Sequence, residues 1–315
     1  MANAAGAARD EAAAAPAAND VAAVRALALP AGLPASWGTP ALVGLPNELS
    51  PDHVTWGAID AVAEAATKPR TRDAYAGETR PVPFDDEVFL PRGELALRPL
   101  VHRRRSAVDF DGKTPISRDD FYRVLGATVR LPVELFPWRP RVHLGLFVHR
   151  VRELEPGIYC LVRDASQKPL LQAAMERPFA WEKPAGCPPS LELYRRHAGD
   201  LRGHARAVSC QQEIAADGAF SLGMIAELAP SLERHGAWFY PRLYWECGAI
   251  GQALYLEAEA IGVRGTGIGC FFDEPVHQLF GITSERWRSL YHFTIGGPVE
   301  DARLQSWPAY PPRDG

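Results

Sequence analysis

Three consecutive arginines and a serine, Arg103-Arg104-Arg105-Ser106, stand directly before a turn and a helix with a strong capping signal. A phosphate monoester is best held by several charge-assisted donors, and a guanidinium offers a rigid fork that meets its oxygens two at a time. Ser106 adds a neutral donor. The competing reading is a solvated charge run, the usual state of such a cluster. A second stretch with chemical potential is "GVRGTGIGC", with glycines at 262, 265, 267 and 269. It reads either as a turn feeding a strand or as backbone kept bare so that a flat ligand can lie against it. It follows a helix, whereas a dinucleotide fingerprint follows a strand, and it lacks the Gly-Lys-Ser/Thr end of a phosphate loop.

Other chemistries have less support. No His-Glu-x-x-His stretch occurs, so a metal hydrolase is not indicated and no metal is expected. The five cysteines, Cys160, Cys187, Cys210, Cys247 and Cys270, are widely spread and never form Cys-x-x-Cys. They predict a reducing compartment, with neither a disulfide framework nor a zinc site. A net charge of -4 argues against a nucleic-acid or anionic-membrane surface, so any phosphate chemistry must be local. Of the 34 basic residues all but Lys68, Lys113, Lys168 and Lys183 are arginine, a chain-wide excess that compositional bias explains. No apolar run reaches the length of a membrane span, and the N-terminus makes a poor secretory signal, so a cytoplasmic location is expected.

The elements that must position these residues follow from pattern. Residues 1–40, rich in alanine and poor in large apolar side chains, read as a disordered tail. Residues 41–98 read as an N-terminal helix and an extended arm. Ser50 would cap that helix, Pro51 would open it, and Val54, Ala58, Ile59, Val62 and Ala66 would form its apolar face. Residues 99–315 form the main domain. Ser117 and Asp120 make a capping pattern for a helix that buries Phe121, Val124, Leu125 and Val129. "VHLGLFVHRV" and "IYCLV" predict a hairpin around Pro156-Gly157. "SLELYRRH" is expected to form a short helix, and Val208 to Leu228 a longer one. "ECGAIGQALYLEAEAIGVRG" is a helix stopped by Gly262, with Gly248 and Gly251 leaving room for another backbone. "LYHFTI" closes the chain's last strand. The order of elements indicates an α+β fold with a mixed or antiparallel sheet flanked by helices.

"RRRSAVDFDGKTPISRDDFYRVLG" resembles the opening of the FMN-dependent nitroreductase superfamily. "EPGIY", "WECGAIGQALYLEAEAIGV", "GIGCFFDEPVHQLFGI" and "YHFTIGGP" follow in that family's order. The version is most similar to SagB-type dehydrogenases, which oxidise azolines in ribosomally made peptides. The resemblance implies a nitroreductase-like fold, an intertwined homodimer with FMN at its interface, and possible peptide-modifying partner proteins. It places the flavin phosphate on Arg104 and Ser106, with Arg105 between them. Gly269 and Cys270 would present backbone N–H to the flavin ring, and Arg303 would give a second phosphate contact. Three positions depart from the pattern: Val108 replaces a basic residue, Cys270 replaces a glycine, and "PWRPRV" replaces a loop of small residues. These departures keep a second function in view, a flavin-less scaffold or binding subunit of a peptide-modification complex. No catalytic base is assigned from the sequence.

Overall fold

The computed structural model describes residues 48, 52, 54–69, 97–131, 136–175 and 180–305. The fold belongs to the compact unit Trp56–Gly315. The alanine-rich tail, the caps Ser50 and Pro51, and most of the extended arm lie outside the described residues.

Helix α1 (Gly57–Ala65) starts after Trp56 without a side-chain cap. Its expected apolar face is not covered, since Ile59 is 66% and Val62 51% exposed. Helix α2 (Leu97–Arg103) carries the first of the three arginines as its last residue. Helix α3 (Arg118–Val129) begins as expected: Ser117 Oγ accepts from the Asp120 N–H at 3.0 Å, and its own hydroxyl donates to the Asp120 carboxylate at 2.6 Å. The first of these bonds satisfies one of the backbone donors that a helix start leaves open.

The chain then forms β1 (Val142–Val148), β2 (Gly157–Leu161), α4 (Lys168–Ala174), β3 (Leu193–Ala198), α5 (Arg202–Val208) and the short α6 (Ile214–Asp217). After these come β4 (Phe220–Glu227), α7 (Ala229–His235), α8 (Tyr240–Ala260), β5 (Arg264–Ile268), α9 (Asp273–Phe280) and β6 (Trp287–Gly296). The six strands make one sheet in the order β3-β2-β1-β4-β6-β5, and every neighbouring pair is antiparallel. The hairpin of β1 and β2 pairs Leu146 with Tyr159 and Val148 with Gly157, as the sequence indicates.

Helices cover both faces of the sheet, because strand alternation sends side chains both ways. Leu144, Leu146 and Val148 of β1 join Phe121, Leu125, Ile250 and Leu254 under α3 and α8. Phe147, the next residue along, joins Leu171, Val276 and Phe280 on the opposite face. At the sheet's centre Gly145 pairs with Gly223. A Cβ on Gly145 would meet the Phe280 ring at 2.7 Å, so that ring occupies the space a side chain would need.

Two expected helices are strands. In "SLELYRRH" Leu193 pairs with Leu161 and Arg195 with Tyr159, forming the sheet's outer strand. Arg195 reaches Glu155 and, at 2.8 Å, Glu182, a charged guard suited to an edge. The span from Val208 to Leu228 holds α6 and then β4, whose eight residues are all buried between β1 and β6. A strand buried on both faces loses the alternation that would mark it, and a continuous apolar run is ambiguous between helix and strand. Helix α8 matches expectation, with Gly262 at φ +80° just past its end. Among the described residues no backbone takes up the room at Gly248 or Gly251: a Cβ on Gly248 would meet nothing within 4 Å, and one on Gly251 would meet only the Phe293 ring at 3.8 Å.

Candidate functional site

The three arginines have three different fates, decided by residues one helical turn apart on α8. Glu259, buried to 7% exposure, receives the Arg103 Nε at 3.3 Å, and its carbonyl receives the Arg103 guanidinium at 3.2 Å. The same carboxylate accepts the Arg105 backbone N–H at 3.3 Å. The Arg105 side chain folds back, donating to the carbonyls of His102 and Arg104 at 2.9 Å each, where it closes the end of α2. Arg104 has no carboxylate partner among the described residues, and its guanidinium lies 4.8 Å from the centre of the Tyr255 ring. A cation above an aromatic face is attracted by the ring quadrupole without being neutralised. Arg104 thus keeps its charge and its fork available.

Ser106 stands beside it, solvent-exposed, with its Oγ 2.9 Å from the Tyr255 hydroxyl. The Tyr255 oxygen also accepts the Gly267 N–H at 3.1 Å. The main chain is tied down as well, since Ser106 bridges to Gly265 in parallel and the Ala107 N–H donates to the Gly265 carbonyl at 3.0 Å. One charged fork and one hydroxyl on a strand-anchored segment are part of the donor set a phosphate monoester calls for. Val108, where a further cation would stand, is 59% exposed and contributes none.

Gly269 and Cys270 follow β5 at its other end and are both exposed. Gly269 lies four steps along the chain from Gly265, about 13 Å at the usual strand rise. The two ends therefore suit a ligand with a phosphate at one end and a flat group at the other. The intervening glycines are not a bare bed, however. A Cβ on Gly265 would strike the Phe293 ring at 2.6 Å and one on Gly267 the Tyr291 hydroxyl at 2.8 Å. Rings of β6 already cover that side of β5.

The expectation of no disulfide is corrected. Cys270 is joined to Cys210 by a disulfide across 60 residues, with Cα atoms 5.8 Å apart. A bridge that long between isolated cysteines leaves no local spacing to read. Cys270 is not among the positive-φ residues, so a side chain there costs nothing in backbone strain, whereas its partner Cys210 at φ 54° and the neighbouring Gln211 at φ 61° are left-handed. The Arg303 side chain is 89% exposed and pairs with Asp301 at 2.7 Å.

The "PWRPRV" loop does not rebuild an anion site. Arg139 pairs with Asp164 at 2.9 Å and Arg141 with buried Glu227 at 2.7 Å. Trp138 is 4% exposed and packs edge-on against Phe239 at 5.2 Å. Beneath this loop Glu246, 1% exposed, accepts from the Arg163 guanidinium and from the N–H groups of Arg141 and Val142. Tyr240 and Tyr244 are joined through their hydroxyls at 3.0 Å, and Arg242 lies over the rings of Trp238 and Trp245.

Among the described residues, three deeply buried histidines are held neutral by burial. His292 sits between Ser209 and Ser289, with Phe271 stacked on it at 4.3 Å, and burial pushes its pKa down to about 3. Burial likewise lowers His143 to about 3 and His149 to about 4. Tyr255 and Glu259 are the residues that sequence reasoning missed. Their spacing of four on the clearest helix was the available signal.

The nitroreductase family profile matches residues 101–297. No curated protein sequence matches. Among solved structures, a nitroreductase candidate from Anabaena variabilis is similar at TM-score 0.51 and 22% identity over 64% of this chain. The match takes in 38% of that protein's own length. An NADPH:FMN oxidoreductase from Vibrio harveyi is similar at TM-score 0.41 and 14% identity, covering 68% of this chain and 74% of that one. A chain of the Escherichia coli microcin synthetase McbBCD complex is similar at TM-score 0.46 and 15% identity, covering 79% of this chain and 84% of that one. Among the described residues, no helix is long and apolar enough to cross a membrane.

Proposed function

This chain belongs to the nitroreductase family, and on that premise we propose that it is an FMN-dependent oxidoreductase in which Arg104 and Ser106 hold the cofactor phosphate. The observation that carries this reading is the division of labour among the arginines: Glu259 takes Arg103, while Arg104 is kept over Tyr255 beside the Ser106 hydroxyl. FMN, when bound, supplies hydride transfer at its ring system. The chain's own residues do the rest. Arg104 neutralises phosphate charge, Ser106 orients one oxygen, and the Gly269-Cys270 turn brings exposed backbone to the far end of β5.

The substrate proposed is a peptide azoline, which rests on the resemblance to SagB-type dehydrogenases. A homodimer and peptide-modifying partner proteins are proposed on the same footing. The exposed side chains of Trp245 and Phe272 are consistent with a surface that receives another chain.

A second reading is favoured by a specific set of observations. Phe293 and Tyr291 fill the space beside Gly265 and Gly267, Trp138 is buried in the loop, and Val108 offers no charge. These suit a flavin-less scaffold that binds partners and performs no redox step. The visible spectrum of purified protein decides between them, taken before and after adding FMN, with mass spectrometry of whatever denaturation releases. Bound flavin supports the first reading. A colourless protein that takes up no added FMN refutes it.

A further inference from the structure

We infer that Tyr255 is a positioning residue that turns Ser106 into a one-way donor to an anion, and so sets the preference for a phosphorylated flavin over an unphosphorylated one. The inference rests on the reading that Arg104 and Ser106 face the FMN phosphate.

Donor bookkeeping carries the argument. The Gly267 backbone N–H donates to the Tyr255 oxygen at 3.1 Å and has no other role available to it. The phenol has one proton, and Ser106 Oγ stands 2.9 Å away. If Tyr255 donates to Ser106, the serine's own proton is released toward solvent, where Arg104 already waits. An anion accepts from Ser106 and cannot donate to it, so its arrival selects that direction. The chain then runs Gly267 N–H to Tyr255 O–H to Ser106 O–H to phosphate oxygen. Each donor in such a row polarises the next. A neutral hydroxyl can donate to Ser106 as well as accept from it, so it does not enforce this order.

The same phenol fixes the second donor. Its ring lies under Arg104 at 4.8 Å and is itself braced edge-on by Phe293 at 4.8 Å and 82°. Phe293 in turn fills the space that Gly265 leaves, and Gly265 pairs with Ser106. Tyr255 therefore touches both phosphate donors while standing behind them.

The test is the ratio of FMN to riboflavin affinity, read by quenching of flavin fluorescence on the full chain. Tyr255→Phe keeps the ring beneath Arg104 and deletes only the hydroxyl. Its FMN dissociation constant should rise about fivefold, the worth of one typical hydrogen bond. Its riboflavin constant should stay the same, which also shows that the variant is folded. Because Tyr255 acts through Ser106, adding Tyr255→Phe to Ser106→Ala should weaken FMN no further than Ser106→Ala alone. The inference is overturned if Tyr255→Phe leaves the FMN-to-riboflavin ratio unchanged, if it weakens both flavins equally, or if the two substitutions add. Wild-type protein that quenches neither flavin overturns the cofactor reading itself, and this inference with it.

Discussion

Replacing both Cys210 and Cys270 by serine opens a closed loop whose ends are 60 residues apart. The native contacts between those two segments do not depend on the sulfurs. The Phe272 N–H donates to the Val208 carbonyl at 2.8 Å, and the Gln212 amide donates to the Cys270 carbonyl at 3.2 Å. The folded state should therefore keep its shape, and the effect should fall on the unfolded chain. For a loop of this length the chain-entropy relation gives a loss of about 4 kcal/mol. That is a large share of the stability of an ordinary domain, typically about 5–15 kcal/mol. Urea unfolding monitored by tryptophan fluorescence, wild type against the double variant, reads the difference. The slope with denaturant should rise in the variant, because an uncrosslinked chain exposes more surface on unfolding. Thiol titration of denatured, unreduced wild type should find three thiols, Cys160, Cys187 and Cys247. Five thiols would refute the pairing. Equal stability with equal slope would refute the account of how it acts.

Three further outcomes are expected. Arg104→Ala should weaken FMN binding roughly 10- to 100-fold, the range for a hydrogen bond to a charged group, whereas Arg303→Ala should leave it unchanged; equal effects in a flavin titration would contradict the placement of these side chains. Glu246→Leu strands the Arg163 guanidinium in the interior and should cost about 3–5 kcal/mol in urea unfolding, while the double change Glu246→Leu/Arg163→Met should recover only part of it, because the Arg141 and Val142 N–H groups stay without their acceptor. Stability should also fall as pH drops from about 6.5 toward 5, the start of the window in which His143, His149 and His292 stay neutral when folded but charge when unfolded. Their folded values near 3 to 4 lie below the unfolded one, so the unfolded chain takes up the protons and stability is present above 6.5 and lost below it. A flat urea midpoint between pH 6.5 and 5 would show that these rings are not held neutral.

What the sequence made legible was local. The Ser117–Asp120 cap, the β1–β2 hairpin and α8 with its stop at Gly262 each announce themselves within a dozen residues, and each is in place. β4 was unreadable because both its faces are buried, and β3 because its charged residues serve an edge that only the assembled sheet defines. The arginine cluster was visible, but the choice among Arg103, Arg104 and Arg105 was not. That choice is made by Glu259 and Tyr255 about 150 residues further along, and no spacing within "RRRS" encodes it. The Cys210–Cys270 pairing was hidden for the same reason.

The order of strands gives the chain's end an outsized role. β6 is the last strand among the described residues, yet it lies between β4 and β5, both of which belong to the loop that the disulfide closes. With β6 absent and the rest of the sheet in place, those two strands would be separated by a slot one strand wide, about 10 Å at normal sheet spacing. A nascent or truncated chain lacking β6 would thus expose two unpaired edges toward a common gap, an invitation to capture a strand from a neighbour. Completion of the sheet is an act of insertion, and the C-terminal strand is its keystone.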